Sequence, residues 1–167
     1  MLRSARLIRS AILTAAVALV AMPACAQNGD RAPPAVAIAA DLAASPAGTK
    51  LTLTLSKPVD ARAFVMERPD RAVIDLAEVN FQLAPETGRR REGLVQSFRY
   101  GLFAPGRSRI VVDLAGPATV GRIETATRPR DGAVILTVPF QRADRESFRK
   151  AATAGDLAPA AGKAVAP

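Results

Sequence analysis

Histidine and tryptophan are absent from this 167-residue chain, which has one cysteine and one tyrosine. Each gap removes a class of function. Without histidine, the Ser–His and Cys–His nucleophile pairs and the commonest zinc ligand are lost. Ser56, Ser97, Ser108 and Ser147 have no imidazole partner, and no Gly-x-Ser-x-Gly elbow surrounds them. No phosphate loop, dinucleotide fingerprint or Asp-x-Asp calcium loop occurs. A lone cysteine forms no intramolecular disulfide, so stability must come from a hydrophobic core. The stacking rings that sugar-binding sandwiches commonly use reduce to Tyr100. These gaps exclude an enzyme and a resident cofactor, and leave a binding module.

The longest apolar run is Ala11 to Met22, interrupted only by Thr14. It is shorter than the ~20 residues a membrane span needs. Arg3, Arg6 and Arg9 precede it and Ala24-Cys25-Ala26 follows it, the layout of a secretory signal peptide cleaved between Ala26 and Gln27. Met22-Pro23-Ala24-Cys25 is a poor lipoprotein motif, so ordinary cleavage is expected rather than acylation of Cys25. The processed chain is then periplasmic and not membrane-spanning.

Lysine and arginine number 23 against 15 acidic residues. Removing the three signal arginines leaves 20 − 15 = +5. That is mildly basic, not the concentrated field of a nucleic-acid protein. An anionic extracytoplasmic polymer is the better partner. Residues 27–34 read as a Pro-rich leader and 35–141 as one domain. Residues 142–167 read as a short helix and a flexible Ala/Gly/Pro-rich linker. Asp144 is the expected helix cap, Phe148 its one large apolar residue, and Gly155 its stop.

The domain reads twice. Lys50 to Leu76 runs strand, Ser56-Lys57-Pro58, strand, Arg68-Pro69, then the strand Ala72-Val73-Ile74-Asp75-Leu76. Arg109 to Val138 repeats this with Ala115-Gly116-Pro117, Arg128-Pro129 and the strand Ala133 to Val138. The offsets are 117 − 58 = 59, 129 − 69 = 60 and 135 − 74 = 61. Leu51, Leu53 and Leu55 alternate with threonines, and Ile110, Val112 and Leu114 repeat that stripe. With Ala35 to Leu42 and Leu94 to Tyr100 as opening strands, each copy supplies four. The expected fold is an all-β sandwich of two similar four-stranded sheets from an internal duplication, with flexible termini.

Two stretches carry a family resemblance. Glu67-Arg68-Pro69-Asp70-Arg71-Ala72-Val73-Ile74-Asp75-Leu76 is the first. Phe98-Arg99-Tyr100-Gly101-Leu102-Phe103-Ala104-Pro105-Gly106-Arg107-Ser108-Arg109-Ile110-Val111-Val112-Asp113-Leu114 is the second. Together they resemble the AMIN domain of proteobacterial N-acetylmuramoyl-L-alanine amidases, in its alphaproteobacterial form, over roughly Val36 to Val138. The resemblance implies a periplasmic β-sandwich that binds peptidoglycan and directs a partner domain to the division septum, where septal or envelope proteins are further partners. It also implies that catalytic zinc belongs to a separate C-terminal domain, into which residues 151–167 would lead. AMIN domains also precede secretin pores of type IV pili, so a protein-interaction role in envelope assembly is the alternative.

The binding candidates are cationic. Arg89, Arg90 and Arg91 lie between the copies beside Gly88, which favours mobility, and Arg99 and Arg107 flank the following turn. Guanidinium groups pair bidentately with carboxylates, and peptidoglycan stem peptides end in carboxylates. Tyr100 is the one candidate ring. Asp75 and Asp113 close related strands and are expected to form structural ion pairs rather than an acid–base couple.

Overall fold

A computed structural model of the chain describes residues 33–157. The expected signal peptide, the Ala26–Gln27 cleavage point, most of the leader and the tail beyond Leu157 lie outside the described residues. The strands are β1 (Ala35–Ser45), β2 (Gly48–Leu55), β3 (Ala61–Met66), β4 (Arg71–Ala77), β5 (Val79–Phe81), β6 (Val95–Ala104), β7 (Arg107–Leu114), β8 (Ala118–Val120), β9 (Glu124–Thr127) and β10 (Val134–Arg142). A 3-10 turn, Thr87–Arg89, precedes β6, and helix α1 (Arg145–Leu157) follows β10.

Period-two alternation builds the sandwich. Leu51, Leu53 and Leu55 of β2 are fully buried, as are Val134, Leu136, Val138 and Phe140 of β10, its hydrogen-bonded neighbour. From the other sheet come Ala72, Ile74 and Leu76 of β4 and Ile110, Val112 and Leu114 of β7. These two stripes interdigitate as one core.

The fold is all-β, in two sheets of six and four strands. The six-stranded sheet contains the order β1-β2-β10 with β8 and β9 beyond; the four-stranded sheet reads β6-β7-β4-β3. Exchanging the two copies, β1 for β6, β2 for β7, β10 for β4 and β8/β9 for β3, converts one order into the other. Each sheet therefore draws on both copies. The first hairpin of a copy lies in one sheet and its later strands lie in the other. The Pro58 and Pro117 segments make the equivalent crossing in each copy, each proline three positions past its strand (58 − 55 = 3, 117 − 114 = 3). The short β5 adds a further excursion into the six-stranded sheet between β4 and β6.

Two strands exceed the expected eight. β5 runs parallel to the start of β1. It is held from the opposite sheet by buried Ser108, whose Oγ accepts from Val79 N at 2.9 Å and donates to Val79 O at 3.1 Å. The strand expected around Ile123 is broken into β8 and β9, which pair with different halves of β10. Pro139 sits at the break, where no ladder bond is needed from its missing N–H. Gly121 admits its ring: a Cβ there would be 3.1 Å from Pro139 Cγ.

One offset requires correction. Ile74 faces the core, whereas Ile135 points outward and is half-buried. The equivalent of Ile74 is the inward Val138 (138 − 74 = 64): Ile74 pairs with Ile110 as Val138 pairs with Leu51, and a shift of one reverses every side chain.

Helix α1 closes the side where edges β3 and β8 meet. Asp144 caps it, accepting from Ser147 N at 2.8 Å and Ser147 Oγ at 2.7 Å. Phe148 and Ala152, one turn apart, enter the core. Gly155 does not stop the helix. It lies inside it, where a Cβ would come within 2.8 Å of Phe64 Cβ.

Candidate functional site

The outer face of the four-stranded sheet concentrates charge. Alternation and register place Arg62 on β3, Arg71 and Asp75 on β4, Arg107, Arg109 and Asp113 on β7, and Arg99 on β6 along this face. Strands β4 and β7 each read Arg-x-x-x-Asp and run antiparallel, so Arg71 stands opposite Asp113 and Asp75 opposite Arg109. Arg109 grips Asp75 with Nε at 2.6 Å from Oδ1 and Nη2 at 2.9 Å from Oδ2. Arg71 Nε donates to Asp113 Oδ1 at 2.8 Å and Ser97 Oγ to Asp113 Oδ2 at 3.1 Å. Arg99 stands farther from the same carboxylate, at 3.6 Å. Between the two charged rows run Phe64, Val73 and Val111, with Val73 buried although it faces outward.

Partial burial pushes the Asp113 carboxyl up, but the hydrogen bonds from Arg71 and Ser97 and the positive charges of Arg99 and Arg71 outweigh it. The group is held below its ordinary value. Asp75 and Asp113 are thus both engaged by arginine, as expected of structural ion pairs. They are neighbours across one antiparallel ladder, not counterparts in the two sheets.

The remaining candidates surround β6. The turn carrying Arg89 rests on that strand: Gly88 allows the approach, since a Cβ there would lie 2.4 Å from the Phe98 carbonyl oxygen. The loop expected to be mobile is therefore packed. Arg89 pairs with Glu86 at 3.3 Å and Arg90 reaches Asp41 of β1 at 3.2 Å. Arg91 is exposed and makes no ion pair among the described residues. Arg107 is likewise exposed and unpaired among them. It lies four positions along β7 from Val111, the partner of Arg99, or ~13 Å at strand rise. Tyr100 faces the sandwich interior, with ring centroids 5.0 Å from Phe81 and 6.1 Å from Phe98.

Residues 39–136, 98 of 167, match the AMIN domain family. The chain belongs to that family. AMIN domains are non-catalytic binding domains known in peptidoglycan-binding and envelope-associated proteins, which points to a periplasmic or envelope location. No curated protein matches the chain. Among the described residues of this AMIN domain, no three His, Cys, Asp or Glu side chains are grouped to hold a metal ion. No helix among them is long and apolar enough to cross a membrane.

Sequence reasoning missed the end of β6. Leu102 and Phe103 are 65% and 56% exposed. Phe103 lies under the Arg109 guanidinium, 3.6 Å from its ring centroid, so Asp75, Arg109 and Phe103 form one stack. The signal was present: two consecutive large apolar residues beside the Pro105-Gly106 turn cannot both face inward on a strand.

Proposed function

We propose that this chain is the exported, non-catalytic wall-binding module of an N-acetylmuramoyl-L-alanine amidase, attaching to peptidoglycan and bringing its partner domain to the division septum. Membership of the AMIN family supports the wall-binding role. The N-terminal signal, cleaved before Gln27, would deliver the domain to the periplasm. The carrying observation is the cationic surplus around β6. Both aspartates of the outer face are engaged by Arg71 and Arg109, while Arg91, Arg99 and Arg107 remain exposed to solvent. Stem-peptide carboxylates are the complementary charge on the wall.

Exposed ion pairs contribute only ~0–1 kcal/mol each. Attachment therefore depends on several arginines acting together on a repeating polymer. Co-sedimentation with lipid-free murein sacculi tests the reading. The processed protein should pellet at low salt, and recovery entirely in the supernatant would remove it. Catalysis is assigned to the partner domain, so the purified chain should release no stem peptide with or without added zinc. The amidase association is checked in the coding sequence downstream of Pro167, where it requires a zinc amidase domain.

A further inference from the structure

The β6–β7 hairpin tip combines apolar exposure with positive charge. Leu102 and Phe103 are adjacent in sequence, both more than half exposed, and followed by exposed Pro105 at the turn. From Gly93 to Val112 the chain has Arg99, Arg107 and Arg109 and no acidic residue. Arg109 is neutralised by Asp75 and holds the Phe103 ring in place. Arg99 is mostly exposed but stands 3.6 Å from the Asp113 carboxylate it shares with Arg71, and Arg107 is unpaired among the described residues. One face of that ring already carries a guanidinium, and its neighbour Leu102 is aliphatic. A stacked sugar would gain little from this arrangement. It fits an interface with an apolar interior and an anionic surface, where apolar side chains enter and arginines reach the phosphates.

We propose that the β6–β7 tip docks on anionic phospholipid bilayers, with Leu102 and Phe103 entering the headgroup–acyl boundary and Arg99 and Arg107 contacting lipid phosphates. The contact is peripheral. It goes beyond the wall-binding reading and does not depend on it, since vesicles contain no murein and purified sacculi contain no lipid.

The test uses the processed full chain and vesicles of phosphatidylglycerol mixed with phosphatidylcholine. The chain contains no tryptophan. Phe103→Trp therefore introduces a single reporter, whose emission should shift to the blue on adding these vesicles and be quenched by brominated acyl chains. Replacing Leu102→Ser and Phe103→Ser together should lower vesicle partitioning at least about tenfold, given the apolar area removed. Circular dichroism and retention on sacculi should stay unchanged. Three results would overturn the proposal: no pelleting with anionic vesicles, unchanged tryptophan emission, or equal pelleting of the double variant. Capture by N-acetylglucosamine oligomers instead of vesicles would overturn it too and assign the tip to glycan.

Discussion

Arg71 on β4 donates to the Asp113 carboxylate on β7 at 2.8 Å, and the same two strands repeat the pairing in reverse through Asp75 and Arg109. Because 71 + 113 and 75 + 109 both equal 184, one register satisfies both pairs. A slip by two residues would place the carboxylates off both guanidinium groups. The ladder thus fixes how the two central strands of this sheet pair, and those strands carry Ile74 and Ile110 into the core.

Asp113→Ala should destabilise the domain by about 1–2 kcal/mol, because Arg71 and Ser97 lose their shared acceptor in a partly buried setting. Urea unfolding followed by circular dichroism checks the size. A shift no larger than that of Glu86→Ala, whose pair with Arg89 is open to solvent, would show that the ladder adds nothing.

The pH dependence follows from the same group. The folded value of Asp113 is depressed below its ordinary 3.8. Its contribution is complete above that value and is lost as pH falls through the lower folded value. The gap in urea midpoint between wild type and Asp113→Asn should therefore be constant from neutral pH down to about 4 and narrow below it. A gap that widens on acidification contradicts the sign.

Phe148 is completely buried and ties α1 to the sandwich. Phe148→Ala should cost about 3–5 kcal/mol in stability. Hydrogen exchange should show α1 losing protection before β2 and β10. Equal protection of helix and sheet in the variant would mean that Ala152 and the Asp144 cap suffice to hold the helix.

Much of this fold was legible because period-two alternation is a direct image of burial. Leu51-Leu53-Leu55 and Ile110-Val112-Leu114 could be read as inward stripes, and Pro58 and Pro117 as equivalent turns. Their role as crossings between sheets was not legible, since a proline after a strand marks an end without saying where the chain goes next. The division of β8 from β9 depends on Pro139, a residue on a different strand. Ile74 and Ile135 look equivalent in matching apolar runs, and only cross-strand register separates inward from outward. At the site, Arg99 and Arg107 were legible as surface charge. Arg71 as the partner of Asp113 was not, because it lies 42 positions away. Ring chemistry singled out Tyr100 and passed over Phe103, whereas packing against Phe81 and exposure at a hairpin tip decide what each ring can touch.

Export makes its own prediction. The protein recovered from the periplasm should begin at Gln27, as intact-mass spectrometry would show. A diacylglyceryl mass on Cys25, or an intact Met1 in the membrane fraction, would replace cleavage with anchoring.

Retention on lipid-free sacculi, measured against rising salt for wild type and for Arg89, Arg90 and Arg91 replaced together by alanine, tests the central claim most directly. The screening length is ~8 Å at physiological ionic strength and shrinks above it. The wild type should therefore release progressively as salt rises. The triple variant should release at lower salt with an unchanged circular dichroism spectrum, because these side chains lie outside the core. Arg99→Ala and Arg107→Ala should shift release the same way. Retention indifferent to salt and to all five arginines would contradict electrostatic attachment to the wall.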